Sequence, residues 1–260
     1  MSIEVIRPKS GKDKKYLQEI FVNSLQGNHL VSNGWSFNAG EPELHKYKDL
    51  LFNPNGKVLD LGMGAARVSL MFALNGMEVE GYDQNQFNVD TVNELAAAYD
   101  LPLSSTLADI RSIILQPESY DLVLLSSVFT HFPKKTDAFN VVSNAVNSLK
   151  KDGHIWVRTL GKEDGSYEAY TQEIGINWGG VKRVDEDVFL APCACSGAME
   201  LENHLFMGQT ELLQYFLQRE LKIIHSNVGP KMNERNVMYG EDWPRFDTNK
   251  SGFISILAQK

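Results

Sequence analysis

The most informative segment of the chain reads Lys57-Val-Leu-Asp-Leu-Gly-Met-Gly-Ala-Ala-Arg-Val-Ser-Leu70. Three apolar residues within 58–61 are typical of a short buried parallel strand. Gly62 and Gly64 follow, and glycine allows both a sharp turn and a close approach of a ligand to the backbone. The pattern of residues 65–74 predicts a helix. A strand, a glycine turn and a helix in this order predict a nucleotide cradle at a helix N-terminus.

A second predicted strand, residues 77–82, is followed directly by an acidic residue, Asp83. A carboxylate about 20 residues after such glycines is placed to bind ribose hydroxyls. The alternative is that Asp83 only caps the next helix. The third glycine of the dinucleotide fingerprint is missing, because the segment reads Gly62-x-Gly64-x-x-Arg67.

Helices and strands continue to alternate up to residue 160, which predicts right-handed β-α-β units and a largely parallel sheet. A second acid, Asp109, follows the third strand at the edge where ligands of open α/β sheets collect. Pro133 is expected in the first turn of the helix that follows the fourth strand. The predicted elements are a helix at 87–99, strands at 101–107 and 120–127, a helix over 139–149 and a strand at 154–160.

The segments on either side of this core have a different pattern. Residues 14–25 and 43–51 predict helices, separated by an aromatic loop that is either a lid or a plug on the sheet. Residues 161–208 show no clear helix, although 188–191 and 201–207 are able to pair as a hairpin. Further expected elements are a helix from Thr210 to Arg219 with Thr210 as its N-cap, and strands at 221–225 and 253–258. We expect one domain, with a cap at 1–54, a cofactor-binding core at 55–160, and insertions with a closing hairpin at 161–260.

Composition excludes several classes of protein. The 260 residues carry a net charge of −8, which argues against a partner held through nucleic-acid phosphates. The two cysteines, Cys193 and Cys195, cannot staple a fold, and a metal site is not expected. The charged N-terminus does not resemble a signal peptide, and a run of about 18 apolar residues is absent, so we expect a cytoplasmic protein that does not span a membrane.

Four motifs in order resemble those of the class I S-adenosylmethionine-dependent methyltransferases. They are Val58–Gly64, Tyr82-Asp83, Ala108-Asp109-Ile110 and Tyr120–Ser127. The resemblance covers about residues 55–160. It implies an α/β fold: a Rossmann-like, seven-stranded, mostly parallel sheet with helices on both faces, an N-terminal helical cap and C-terminal insertions. A looser similarity to tellurite-resistance and thiopurine methyltransferases lies in Arg67–Leu70 and Phe206–Leu217.

The resemblance also implies S-adenosylmethionine as the cofactor and assigns roles to residues. Asp83 would bind the ribose hydroxyls, Asp109 the adenine amino group, and the Ser126 carbonyl would lie near the methionine amine. Asp60 and the two glycines would face the methionine part. The implied cofactor-binding residues are Asp60, Gly62, Gly64, Arg67, Asp83, Gln84, Ala108, Asp109, Ile110 and Ser126, although Arg67 more often forms a structural salt bridge.

His131 follows the fourth strand and is the candidate general base, because the unperturbed pKa of histidine suits that role. His204 and Tyr239 are the next candidates. The alternative is that His131 has no catalytic role, because many enzymes of this family have a histidine near this position that only packs beside the cofactor. Acceptor specificity is predicted to lie in residues 28–42, 188–207 and 227–251, with Trp35, Phe37, His204 and Tyr239 as substrate-binding candidates.

The predicted reaction is methyl transfer to an oxygen or nitrogen of a small-molecule acceptor, by a monomer or a homodimer. A sulfonium methyl group is electrophilic by itself, so we expect the reaction to proceed without a metal. Two alternatives remain at this point: an NAD(P)-dependent Rossmann oxidoreductase, and a non-catalytic subunit that binds S-adenosylmethionine. The sequence leaves the identity of the acceptor open.

Overall fold

The structure, a computed structural model, describes residues 44, 46–171, 181–192, 201–229 and 252–260. The helices are α1 (Lys48–Leu51), α2 (Ser69–Ala73), α3 (Gln86–Ala98), α4 (Lys135–Ser148), α5 (Gly165–Thr171) and α6 (Gln209–Leu217), with a 3-10 turn at Phe129–His131. The strands are β1 (Lys57–Leu61), β2 (Glu78–Asp83), β3 (Leu103–Leu107), β4 (Tyr120–Ser126), β5 (Leu149–Leu160), β6 (Lys182–Asp185), β7 (Val188–Pro192), β8 (Leu201–Leu205), β9 (Lys222–Val228) and β10 (Phe253–Gln259).

Seven strands form the central sheet, in the order β3-β2-β1-β4-β5-β10-β9. The first five are parallel, and the antiparallel β10 inserts between β5 and β9. The carboxyl ends of β1 and β2 are level, since Leu61 is in register with Tyr82. Because the chain order reverses between β1 and β4, a crevice is expected there at the carboxyl edge of the sheet. The predicted α/β fold with a mostly parallel sheet is confirmed.

Helices cover both faces of the sheet, and alternation along each strand sorts the side chains between two cores. Leu59 and Leu61 of β1 pack with α4 and α6 on one face, whereas Val58 packs with α2 and α3 on the other. In β5, Trp156 is fully buried on the second face. The buried runs of these strands explain why they were recognisable from sequence alone.

A smaller antiparallel sheet, β6-β7-β8, lies within the C-terminal insertion. The β7–β8 pair confirms the predicted hairpin. Asp187, between β6 and β7, is almost completely buried and anchors this sheet, because it accepts hydrogen bonds from Lys135 of α4 and Tyr167 of α5. Lys162, after β5, adds a second ion pair. These polar contacts fix the insertion sheet against the core.

Several local predictions were wrong. The helix expected over 65–74 begins only at Ser69, because Ala66 has a φ of 59°, which a right-handed helix excludes. Thr210 is not an N-cap: the cap residue of α6 is Gly208, and its first turn has no side-chain cap. Helix α5 occupies a stretch expected to lack a helix. Pro133 lies just before α4, whose cap residue is Lys134.

Other predictions fall outside the described residues. They include the helix at 14–25, the aromatic loop at 28–42 and most of the polar segment at 227–251. The helix expected at 43–51 is seen in its last turn, as α1. Among the helices that the structure describes, none is long and apolar enough to cross a membrane.

Candidate functional site

The carboxyl edge of the sheet brings together predicted site residues from four strands. Gly62 and Gly64 follow β1, and Asp83 ends β2. Asp109 follows β3, while Ser126 ends β4. Parallel strands end at one edge, so these groups gather on one side of the molecule.

Asp83 connects the glycine turn to the start of α3. Its Oδ2 accepts a hydrogen bond from the Gly64 amide at 2.8 Å, and its Oδ1 accepts one from the Asn85 amide at 2.8 Å. The Nδ2 of Asn88 lies 3.4 Å from the same Oδ1. A carboxylate has about four acceptor positions, so Asp83 retains capacity for ligand hydroxyls. Asn85, and not Asp83, caps the helix, because Asn85 accepts from the amide of Phe87.

The two glycines of the turn have opposite surroundings. A Cβ on Gly62 would lie 2.4 Å from Cγ2 of Val128, so this glycine is required for the turn to pack against the segment after β4. A Cβ on Gly64 would meet nothing within 4 Å. The chain therefore holds Gly62 tightly and leaves open space beside Gly64, as a ligand-facing backbone requires.

Asp60 lies under this turn and is completely enclosed. Ser69 donates a hydrogen bond to its Oδ2 at 2.6 Å. Burial raises the pKa of Asp60 to about 7, with a further contribution from the Asp83 charge, whereas the Ser69 hydrogen bond and the Arg67 charge act in the opposite direction. Two acidic groups close together disfavour a second negative charge, so the site favours a cationic ligand.

The raised pKa of Asp60 predicts a loss of stability with rising pH. The native carboxyl keeps its proton between pH 3.8 and about 7, whereas the unfolded one loses it. The unfolded state is therefore favoured as pH rises, at about 1.4 kcal/mol per pH unit, or at most about 2–3 kcal/mol from pH 5 to pH 7. We expect Asp60→Asn to lack this decrease in urea unfolding at the two pH values.

Asp90→Asn is the matched control, because it makes the same Asp-to-Asn change at an exposed carboxyl on α3. This control should show the wild-type pH dependence. A wild-type decrease in the Asp60→Asn variant would contradict the assignment of the pH dependence to Asp60.

Asp109 is engaged by a residue that the sequence analysis did not select. Arg111 binds its carboxylate in a bidentate manner, with Nε 2.9 Å from Oδ1 and Nη2 2.5 Å from Oδ2. These hydrogen bonds lower the pKa of Asp109. The following Ile110 is buried, as a residue lining an apolar ring site would be. Ala108 donates its amide to the carbonyl of Asp83 at 2.9 Å, so the ends of β2 and β3 are joined.

The chain leaves β4 through a strained residue. Ser127 has a φ of 61°, and its amide donates to the carbonyl of Arg158 at 2.7 Å. The guanidinium of Arg158 donates back to the Ser127 hydroxyl at 3.0 Å and lies 3.8 Å from the centre of the Phe253 ring. Such strain is typical of functional turns, and here it directs the chain into the 3-10 turn that ends at His131.

His131 faces the insertion sheet. Its Nδ1 lies 3.4 Å from Oε2 of Glu202 in β8, and the two side chains are 43% and 29% exposed. His204, two residues further along β8, packs edge-on against the Tyr170 ring. Burial lowers the pKa of His204 to about 4, so this imidazole is neutral at ordinary pH.

Of the remaining predicted site residues, two lie near Asp60 and Asp83 and three are not described by the structure. Arg67 lies close enough to affect Asp60, and Gln84 is exposed directly after Asp83. Trp35, Phe37 and Tyr239 lie outside the described residues. Glu202 and Arg111 were missed: Arg111 stands two residues after Asp109 and was recognisable, whereas the contact of Glu202 with His131 leaves no trace in the sequence.

The arrangement fits S-adenosylmethionine in three respects. The space beside Gly64 is open, Asp83 has unused acceptor positions, and the acidic Asp60 and Asp83 suit a ligand with sulfonium and ammonium charges. A phosphate would be bound less well. The Gly64 amide is already donated to Asp83, and α2 is short and begins only at Ser69, so its N-terminal amides do not follow the glycine turn directly. In the described part of the chain, no group of three or more His, Cys, Asp or Glu side chains is placed to hold a metal ion.

Comparison with known proteins supports the same family. Residues 36–164 match the family described as Tellurite resistance protein TehB. The probable S-adenosyl-L-methionine-dependent methyltransferase TehB of Haemophilus influenzae is 38% identical over 73 residues, which cover 28% of this chain and 25% of that protein. The ubiquinone biosynthesis O-methyltransferase of Aliivibrio fischeri is 29% identical over 152 residues, which cover 53% of this chain and 62% of that protein. The matched part of the chain spans about a quarter of the length of the first relative and less than two thirds of the length of the second.

The fold is shared over a larger part of the chain. The crystal structure of an S-adenosylmethionine-dependent methyltransferase from Methanosarcina mazei matches with a TM-score of 0.62 and 20% identity, covering 84% of this chain and 97% of that one. Ordered motifs, sheet topology and sequence matches agree: the chain has the fold of the class I S-adenosylmethionine-dependent methyltransferases and resembles them in sequence over residues 36–164.

Proposed function

We propose that the protein transfers a methyl group from S-adenosylmethionine to an oxygen or nitrogen atom of a small molecule. The observation that carries this proposal is the glycine turn: Asp83 holds the Gly64 amide while the space beside Gly64 stays open. When bound, S-adenosylmethionine supplies an electrophilic methyl group. The residues of this chain then need only bind, orient and deprotonate the acceptor, and orientation alone can lower a barrier by about 7–11 kcal/mol.

In this proposal each part of the site holds one part of the ligand. Asp83 binds the ribose hydroxyls, and the segment Ala108–Ile110 binds the adenine. The Arg111 guanidinium competes for Asp109, so we infer that it is displaced when the adenine amino group binds. Asp60 and the Ser126 carbonyl lie on the methionine side.

An oxidoreductase explains the geometry less well. A nicotinamide dinucleotide needs amides free to bind a pyrophosphate, and here the Gly64 amide is donated to Asp83. The sheet also closes with an antiparallel pair, β10 and β9, where a nicotinamide enzyme usually has a sixth parallel strand. The other alternative, a non-catalytic partner subunit, binds the same ligand and differs in lacking turnover.

The printed names of the relatives suggest the type of acceptor. One relative is an O-methyltransferase of ubiquinone biosynthesis, and the matching family is named for tellurite resistance. Both names indicate a small acceptor, and the charge of −8 does not suit a nucleic acid. We infer that segments 1–54 and 161–260 enclose this acceptor, and that the protein acts in the cytoplasm as a monomer or homodimer.

Thermal unfolding and product detection together test the function. Because only a ligand of the native state raises the melting temperature, S-adenosylmethionine should raise it and NAD(P)H should not. Turnover is then sought with isotopically labelled S-adenosylmethionine and a panel of phenols, amines, thiols and tellurite, with mass detection of the methylated product. A shift with NAD(P)H alone would overturn the proposal. A shift with S-adenosylmethionine but no product from any class would favour the non-catalytic subunit.

A further inference from the structure

We propose that Glu202 is a positioning residue for His131, and that the acceptor therefore belongs to the class whose methylated atom carries a hydrogen, such as a phenol, an enol or an amine. This inference rests on the proposed function and deepens it. It is carried by the contact between the 3-10 turn after β4 and the strand β8, two elements that the chain brings together from distant positions.

The 3-10 turn that carries His131 follows a residue packed against the glycine turn. A Cβ on Gly62 would lie 2.4 Å from Cγ2 of Val128, which precedes the 3-10 turn. The Thr130 hydroxyl donates to the carbonyl of Ser127 at 2.9 Å, and the His131 amide donates to the carbonyl of Val128 at 3.1 Å. The backbone that carries His131 is therefore fixed against the turn that faces the ligand.

Strand β8 holds the Glu202 carboxylate in place. Residue 202 is paired with Ala191 of β7, and the sheet beneath it is anchored through Asp187. A hydrogen bond from His131 lowers the pKa of the Glu202 carboxyl, so this group is an anion at neutral pH. A carboxylate on a hydrogen-bonded strand is better suited to orient a ring than one on a free loop.

The neighbouring His204 does not compete for this carboxylate as a cation. Its low pKa keeps the imidazole neutral, and the Tyr170 ring packs against it at a centroid distance of 5.7 Å. Among the described residues, Nε2 of His204 has no hydrogen-bond partner. The Glu202 carboxylate therefore has His131 as its ionisable partner in this contact.

The contact determines which nitrogen of His131 can act. With Nδ1–H directed at Glu202, the lone pair of a neutral ring is on Nε2. The distance of 3.4 Å is long for a hydrogen bond, and such contacts commonly shorten when substrate is bound. The anion also stabilises the imidazolium that forms when Nε2 takes a proton.

The step that this pair serves balances as follows. The acceptor's O–H or N–H bond breaks, and its proton passes to Nε2 of His131. The acceptor atom forms a bond to the methyl carbon, and the electron pair of the broken carbon–sulfur bond stays on sulfur. Water later takes the proton from Nε2. An acceptor whose attacking atom has a lone pair and carries no hydrogen, such as the tellurium of tellurite, loses no proton in this step and has no use for a positioned base.

The tautomer of His131 tests the pair in the ligand-free protein, independently of activity. Nitrogen-15 NMR of histidine-labelled protein reports which ring nitrogen carries the proton. We expect the Nδ1–H form for His131 in the wild type and in Glu202→Gln, whose amide oxygen still accepts, and loss of that form in Glu202→Ala. Glu186→Gln is the matched control, since Glu186 is an exposed carboxylate in the turn between β6 and β7 of the same insertion sheet. An Nδ1–H signal that persists in Glu202→Ala would overturn the pair.

Kinetics with two probe acceptors test the acceptor class. With 3,4-dihydroxybenzoate, kcat should fall by about a hundredfold in Glu202→Ala and by about tenfold in Glu202→Gln, with KM nearly unchanged. With tellurite, the variants should match the wild type. Equal losses with both probes, turnover of tellurite alone by the wild type, or a change confined to KM would overturn the proposal.

The two levels of inference fail in different ways. If S-adenosylmethionine does not raise the melting temperature of the wild type, the proposed function fails, and the catalytic role of Glu202 fails with it. If binding and turnover occur but the variants behave like Glu186→Gln, only the inference about Glu202 is overturned. Circular dichroism of each variant separates both results from a loss of fold.

Discussion

Gly62→Ala is expected to destabilise the protein by about 2–5 kcal/mol, a large effect for the addition of a single methyl group. Two costs add. The residue has a φ of 80°, where an L-residue other than glycine loses about 1–2 kcal/mol. The new Cβ would also lie 2.4 Å from Cγ2 of Val128, and overpacking of this kind costs about 1–3 kcal/mol.

Gly76→Ala is a matched control for this prediction. Gly76 has nearly the same φ, 81°, but the nearest atom to its new Cβ would be the Pro54 carbonyl oxygen at 3.7 Å. Only the backbone cost of about 1–2 kcal/mol is then expected. Urea unfolding measures both variants, and adding Val128→Ala should restore part of the stability lost in Gly62→Ala. Equal losses at the two glycines would show that the contact with Val128 does not restrict the turn.

Asp83→Ala is expected to weaken the binding of S-adenosylmethionine by about tenfold to a hundredfold. Hydrogen bonds to a charged group contribute about 1.5–3 kcal/mol, and the ribose hydroxyls would lose theirs. The Gly64 and Asn85 amides would also lose their acceptor, so the turn itself should become less ordered. Asp83 therefore acts on the ligand both directly and through the backbone that the ligand contacts.

Calorimetry of the purified protein measures this loss, with Asp90→Ala as the control for the removal of one negative charge. The affinity of Asp90→Ala should match the wild type, because Asp90 is exposed and its carboxylate accepts a hydrogen bond from Gln86 of the same helix, α3. Asp83→Asn, which keeps one acceptor oxygen, should fall between the two. An unchanged affinity in Asp83→Ala would contradict the ribose assignment.

Much of the core was predictable from local pattern. The strands β1, β4 and β5 are apolar runs because both of their faces are buried under helices. Asp83 ends β2 and Asp109 follows β3, so their position at the carboxyl edge follows from strand direction alone. The aromatic residues expected around the acceptor, such as Trp35 and Tyr239, remain predictions.

The predicted starts of two helices were wrong because local backbone conformation outweighed the periodicity of apolar residues. Residues 65–74 have helical periodicity, yet the positive φ of Ala66 delays α2 until Ser69. Thr210 is a favourable cap residue by type, but the helix begins two residues earlier than such a cap would allow. Periodicity averages over a turn or more, so a single left-handed residue is invisible to it.

The sequence by itself determined the alternation of strands and helices in the parallel half, the glycine turn and the acids at the strand ends, because each depends on residues that are neighbours in the chain. Only the tertiary structure decided that Val128 packs against Gly62 and that Glu202 meets His131. Both contacts join elements that are distant in sequence. The first forms because β1 and β4 are neighbours in the central sheet, and the second because the insertion sheet is anchored to the core through Asp187. Local pattern reports burial and turns, whereas the choice of partner depends on how the whole chain packs.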